Sequence, residues 1–399
     1  MTPPVPRRSI TAFWTSSTYF AEGLPYSVVH QISAQFFTAS GASLQAIGLT
    51  SLYGLAWNFK FLWSPLIDVI SNKKSWLVRL ELLITVTIAI LTWPAFGVDL
   101  GLAAKIFVLI AFLAATHDMA VDGFYIQSLN DTEQAAFSGL RVAAYRISLL
   151  VGNGALVILA GMASWATCFL AAAGIMGSLA LWHQWFLPKA QPMGTVFKAS
   201  VMEEAFVSYL KQPYVVRILS FILVYRAGDS MMFAMATPFL KELGYDTATR
   251  GFLSGTLGTL SGISGALIGG AIISRAGLRR CLFPFTLIQS LSIPAYAWLA
   301  YFKPGLFGVG LVIAFEQLAA GIGTAGLLVF LMQRCSRSFQ ATHFAIGSAL
   351  MSVAATLAGS FSGFVASGVG YVNFFSIAFI ISWPGVIMAW TMPSRVHHY

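Results

Sequence analysis

Apolar runs of about twenty residues, separated by short clusters of Gly, Pro, Ser and charge, recur along almost the whole chain. A helix needs about 20 residues to cross the ~30 Å hydrocarbon layer of a bilayer, so cutting the chain at these clusters predicts twelve membrane spans. They begin near Ile10, Leu44, Trp76, Ala103, Ala136, Trp165, Tyr214, Thr247, Cys281, Leu306, Thr342 and Tyr371. One longer hydrophilic stretch, from Pro188 to about Pro213, carries Glu203, Glu204 and three lysines. It is too short to be a domain and reads as a linker at residues 188–213 between a six-helix bundle at 1–187 and another at 214–399. The halves echo each other at an offset near 206 residues: Asp68 with Lys73 and Lys74 corresponds to Ser274 with Arg279 and Arg280, and Glu22 falls opposite Asp229. The expectation is an all-α membrane protein whose halves repeat in parallel, as transporters built from such repeats do. Glycines crowd the eighth span and residues 359–370, where small side chains let helices approach closely, for packing or for gating.

Composition narrows the class. Charged residues make up only 9% and hydrophobic residues 57%, more apolar surface than a soluble chain of 399 residues can bury. The net charge of +9 does not point to nucleic acid, because the basic residues cap the spans instead of forming one patch. With the N-terminus inside, most of them fall at cytoplasmic ends, which predicts a multi-pass inner-membrane protein with both termini cytoplasmic. Arg7 and Arg8 precede a long apolar run without a small-residue cleavage site, so the start reads as a first span and not a removable signal. Cys168, Cys281 and Cys335 lie far apart and suggest neither a disulfide framework nor a metal site.

The informative residues are the ionisable ones inside spans: Glu22, Lys60, Asp118, Asp122, Arg146, Arg226, Asp229 and Glu316. Each costs roughly 2.5 to 3.5 kcal/mol at the bilayer centre if unpaired, so each must pair, face water or titrate. Five are acidic and three basic, which leaves two carboxylates over even after complete pairing. A surplus acid whose surroundings change between two conformations can carry a proton, and Asp118, Glu22, Asp229 and Glu316 are the candidates. Simple lining of a wet cavity is the other reading. Lys60, Asp122 and Arg146 lie at similar depth from the cytoplasmic ends and are expected to meet in an ion network, either structural or functional. Asp118, one turn deeper on the same helical face as Asp122 and Tyr125, has no evident partner.

Tyr19, Glu22, Tyr26 and His30 follow one face of the first span, and Tyr225, Arg226 and Asp229 cluster in the seventh. Arg226 would bind a substrate carboxylate or neutralise Asp229, and Tyr26 and Tyr225 are candidate substrate-binding residues through their ring faces. His30 and His117 read as hydrogen-bonded packing residues before proton relays, with His30 also a substrate-binding candidate. Gly321-Ile-Gly323-Thr-Ala-Gly326 fits a dinucleotide fingerprint, but it lies in a span with no preceding strand. Gly262-Ile-Ser264-Gly265 matches an intramembrane serine-protease motif, with His343 a nominal base, which gives a remote second class. No cofactor or metal site is indicated, and a transporter, not an enzyme, is expected.

Several stretches carry a family resemblance. Phe59-Lys60-Phe61-Leu62-Trp63-Ser64-Pro65-Leu66-Ile67-Asp68, the following Asn72 to Val78, Ala115 to Leu129, Arg141 to Arg146, and Glu22-Gly23-Leu24-Pro25 resemble the AmpG-type muropeptide permeases of the major facilitator superfamily. The pattern is also similar to acetyl-coenzyme A transporters and siderophore permeases. It is specific through the first five spans; beyond Lys189 only a loose loop motif at Gly270 to Arg280 remains, with Ser274 at its usual acid. The resemblance implies an importer of cell-wall breakdown products such as anhydromuramyl peptides, coupled to protons and working by alternating access. It places Lys60, Asp118, Asp122, Tyr145 and Arg146 in shared motifs, with Tyr145 a substrate-binding candidate. Asp68, Lys73, Lys74, Arg275, Arg279 and Arg280 are candidate gating-loop residues. The chain departs from the enterobacterial permeases in having about twelve spans instead of fourteen. The expected partners are a small-molecule substrate, protons and lipid, with no nucleic acid; the protein is expected to act as a monomer. A siderophore, a peptide or acetyl-coenzyme A are the alternative cargoes.

Overall fold

The computed structural model describes residues 8–63, 72–97, 99–188, 199–336 and 339–392, and these are helical apart from short connections. In chain order the helices are α1 (8–39), α2 (44–62), α3 (73–97), α4 (Leu100–Ser128), α5 (131–162), α6 (Trp165–Phe186), α7 (Ala199–Leu210), α8 (Val215–Glu242), α9 (Thr247–Ala276), α10 (Leu278–Phe302), α11 (Leu306–Gln333), α12 (340–369) and α13 (371–390). Among the described residues, nine continuous stretches are long and apolar enough to cross a membrane. One of them, Thr342–Trp390, is two spans, because Gly370 breaks it at φ 73°, a left-handed conformation that costs glycine nothing. Two further spans, α1 and α2, are interrupted by π and 3-10 turns. With α7 as a short helix outside this set, twelve helices among the described residues stand where the twelve spans were expected.

The sequence punctuates these helices by capping. Asn72, Asp99, Ser164 and Asp246 each accept a hydrogen bond from a backbone N–H of the first turn of the helix they precede. Asn130 and Glu133 form a reciprocal capping box at the start of α5.

The helices group into two compact units. Residues 8–40, 59–63, 72–97, 99–188 and 246–255 form unit 1; residues 41–58, 199–245, 256–336 and 339–392 form unit 2. Neither unit is a continuous half of the chain, since most of α2 belongs to unit 2 and the start of α9 to unit 1.

In unit 1, α1 packs along α5 and α4, and α3 packs between α4 and α6. Trp14, Tyr19, Leu77, Val78, Phe124 and Tyr125 form the core of this arrangement. A side chain at Gly23 would run into Ser148 and come within 3.0 Å of the Tyr145 carbonyl, so glycine is what lets α1 lie against α5. In unit 2, α9 crosses α11 at backbone contact: a Cβ at Gly321 would meet Gly262 and lie 2.9 Å from the Ala266 nitrogen. That close approach assigns Gly262 and Gly265 of the expected glycine cluster to packing. Phe221, Tyr225, Phe285, Leu327 and Phe330 lead the unit 2 core.

Candidate functional site

Each unit contains a cluster of charged side chains inside its spans. In unit 1, Lys60 sits on the 3-10 turn Lys60–Leu62 that ends α2, and its ammonium makes a hydrogen-bonded ion pair with Asp118 of α4. One turn along α4, Asp122 accepts a hydrogen bond of 2.7 Å from the Tyr19 hydroxyl and lies 3.6 Å from the Arg141 guanidinium of α5. Arg141 is held over the Tyr19 ring at 4.7 Å and near the Tyr125 ring at 5.5 Å, so two aromatic faces share its charge. Glu22 of α1 lies within electrostatic reach of Asp118, Asp122 and Lys60, and its Oε2 is buried with no hydrogen-bond partner. Three carboxyl groups therefore share two cations.

This corrects the expected network. Asp118 is the partner of Lys60, and Asp122 pairs with Arg141 instead of Arg146. Arg141 and Arg146 are five residues apart, which places them about 140° apart around the helix, so α5 can turn only one of them towards α4. Equal depth in the membrane fixes the height of a side chain and not its direction. Arg146 makes no ion pair among the described residues.

Further along α1, two of the expected residues meet beside α5. Tyr26 and His30 stack with centroids 4.2 Å apart, and Tyr26 lies 5.9 Å from Tyr145 of α5. Tyr26, His30, Tyr145 and Arg146 are all half-buried, whereas the residues between them on α1 are largely buried. His30 falls within the π turn Val28–Ile32, a widened stretch of the kind that recurs at functional sites.

Lys73 is buried and its side chain lies over Gly123 of α4, and Lys74 donates to the Leu187 carbonyl at 2.6 Å. Both lysines thus tie α3 to its neighbours in unit 1. Asp68 lies outside the described residues. Glu81 of α3 was not singled out by sequence reasoning, although an acid two turns inside an apolar span carries the same signal as the others. It is fully buried and bonded to His183 at 2.6 Å.

In unit 2, Arg226 holds Asp229 by two hydrogen bonds to one carboxylate oxygen, at 3.0 and 3.3 Å, and the other oxygen is buried without a partner. Arg226 stands where α8 departs from regular helix, at φ −108° and ψ 7°. Glu316 of α11 is 1% exposed, accepts 2.9 Å from the Gln317 amide, and lies within electrostatic reach of Asp229 and Arg226. The Tyr296 hydroxyl is beside it. Here two carboxyl groups share one cation.

Tyr225 does not join this cluster as an open stacking surface. Its ring is in the unit 2 core against Phe221, and its hydroxyl donates to the Gly323 carbonyl at 2.8 Å. Arg275, Arg279 and Arg280 are exposed. The protease arrangement is not formed: the Ser264 hydroxyl donates to the Leu260 carbonyl of its own helix, while His343 is bonded to Ser208 at 2.8 Å and to the Ser336 amide at 3.2 Å.

Residues 11–363 match the Major Facilitator Superfamily. The chain belongs to that superfamily. Within it, the chain is 31% identical over 380 residues to the anhydromuropeptide permease of Escherichia coli (strain K12), covering 92% of this chain and 77% of that one. It is 28% identical to a Haemophilus influenzae protein of uncharacterised function, covering 95% and 93%. The fold is similar to that of a POT family transporter crystallised with 5-aminolevulinic acid, at TM-score 0.76 and 12% identity over 98% and 96% of the two chains. This superfamily member is thus a multi-pass membrane transporter of the AmpG type, with a small-molecule substrate and no enzymatic chemistry.

Proposed function

We propose that this transporter imports anhydromuropeptides across the inner membrane by alternating access, driven by protons. The cargo follows the 31% identical permease, and the coupling follows the charge count in each unit. The observation that carries the coupling is Glu22 set against the Lys60–Asp118 pair. One lysine cannot neutralise two adjacent carboxylates in a low-dielectric span, so a proton must enter whenever the group is closed off from water, and can leave when it is wetted. Asp118 and Glu22 exchange that proton in unit 1, and Glu316 with Asp229 forms the corresponding group in unit 2. The half-buried row of Tyr26, His30 and Tyr145 offers ring faces to the sugar, and Arg146 is the cation for a substrate carboxylate. The six-helix halves at 1–187 and 214–399, joined by the linker at 188–213, act as a monomer with both termini in the cytoplasm.

The test is uptake of a labelled anhydromuropeptide into proteoliposomes under an imposed pH gradient. Accumulation should appear with the gradient and vanish when it is collapsed by an ionophore. Uptake indifferent to the gradient removes the coupling, and uptake only of a siderophore, a peptide or acetyl-coenzyme A removes the cargo.

A further inference from the structure

A second charged group lies deep in unit 1, apart from the Lys60–Asp118–Glu22 cluster. Glu81 of α3, His117 of α4 and His183 of α6 meet with their side chains fully shielded from solvent. One carboxylate oxygen, Glu81 Oε1, is 2.6 Å from His183 Nδ1 and 3.4 Å from His117 Nε2. On its far side, His183 Nε2 is 3.0 Å from the hydroxyl of Ser17 on α1. Those three are the titratable groups that face one another here; α1 contributes only the serine.

Hydrogen-bond roles determine where protons sit. The Ser17 hydroxyl has the Trp14 carbonyl 3.1 Å away as an acceptor for its own hydrogen, which leaves its oxygen free to accept from a protonated His183 Nε2 at 3.0 Å. An ionised carboxylate also only accepts, so Nδ1 carries hydrogen too. The short 2.6 Å contact is that of a charge-assisted bond. Charge counting agrees with the geometry. With one proton shared among two imidazoles and a carboxylate the group is neutral; with none it leaves a bare buried anion, and with two a bare buried cation, each costly.

We infer that Glu81, His183 and His117 form an internal proton-binding site that holds one proton, with His183 as the imidazolium, Glu81 as its carboxylate and His117 neutral. The site pins α1, α3, α4 and α6 together in unit 1. His117 immediately precedes Asp118, so the same turn of α4 is anchored on one side by this group and presents its carboxylate to Lys60 and Glu22 on another. Because Glu81 is neutralised internally, it does not add to the surplus of carboxyl groups in the Lys60–Asp118–Glu22 cluster. The inference does not depend on which cargo is carried.

The experiment is nitrogen-15 NMR of full-length, histidine-labelled protein in lipid nanodiscs at neutral pH, with the His183 signals assigned from their loss in His183→Gln. Both ring nitrogens of His183 should show the protonated shift in the wild type. Glu81→Gln should convert them to the neutral pattern, with one nitrogen unprotonated, while Ser17→Ala keeps both protonated. A neutral His183 in the wild type, or an imidazolium that survives Glu81→Gln, overturns the inference. If Glu81→Gln does not fold, the wild-type spectrum decides it.

Discussion

The Lys60–Asp118 pair is partly open to water, with side-chain exposures of 31% and 15%, and it stands next to a third charge-bearing group. Removing the lysine leaves Asp118 and Glu22 facing each other without a cation. Lys60→Met should therefore destabilise the detergent-solubilised protein by about 3 kcal/mol, the lower end for breaking a buried pair because of that residual exposure, and Lys60→Met with Asp118→Leu should recover part of the loss. A thermal unfolding series of the two variants checks it; a double variant no more stable than Lys60→Met would overturn the expected recovery. Asp118→Asn acts differently, because it removes the titratable group while keeping the shape. It should abolish gradient-driven accumulation and leave counterflow exchange, and loss of neither would make the residue structural. These partners were only half legible in the sequence: that intramembrane charges must pair follows from their cost, but which cation faces which acid depends on how each helix is rotated.

At the scale of helices, small residues and caps do the positioning. Gly23 allows α1 to lie against α5, which brings Tyr26 and Glu22 beside Tyr145. Gly23→Val should cost about 1 to 3 kcal/mol or more through overpacking, and Gly23→Ala should be partly rescued by Ser148→Ala, since Ser148 is the first atom the new methyl meets. Melting temperatures of the four variants in a double-mutant cycle measure this, and an absent rescue would place the clash on the backbone. Asp246 caps α9 by accepting 2.7 Å from the Thr249 amide, and that hydrogen bond holds its carboxyl below the usual aspartate range. A depressed carboxyl contributes stability above the pH where an unfolded aspartate titrates and loses it as pH falls through the native value. Asp246→Ala should cost about 1 kcal/mol at neutral pH and less in acid, whereas Asp246→Asn should retain most of the cap. The caps carry a local signal, Asn, Asp or Ser before a helix, that sequence reasoning did not single out. The π turn at His30 carries no such signal, because it arises where α1 meets the Gly152 turn of α5.

For the whole molecule, the intramembrane charge cluster described in each unit holds one more carboxyl group than cation, with Glu22 in the cluster of unit 1 and Glu316 in that of unit 2. Glu22→Gln and Glu316→Gln, assayed separately in proteoliposomes, should show which unit supplies the coupled proton: the variant in that unit should lose accumulation under a pH gradient. Full accumulation in both would dissociate coupling from the surplus acids. The division of the chain into units also carries a lesson of scale. Hydropathy places breaks at residues 188–213, where the polar linker lies, yet the contacts assign residues 41–58 to unit 2 and 246–255 to unit 1. Hydropathy does not predict those exchanges, because the choice of unit is made by close packing, such as Gly363 against Leu44 and Gly251 against Val157.

What the sequence determined by itself was whatever a bilayer enforces locally: helical spans of fixed length, their caps, the excess of acid over base, and through shared motifs the superfamily. Only the tertiary structure decided that Asp118 answers Lys60, that Arg141 replaces Arg146 beside Asp122, that Tyr225 belongs to the core, and that Glu81 shares a proton site with two histidines. The physical reason is the same in each case. Insertion into lipid depends on residue type and distance along the chain, whereas pairing depends on the rotation of several helices at once, and those rotations are set by contacts between residues tens to hundreds of positions apart.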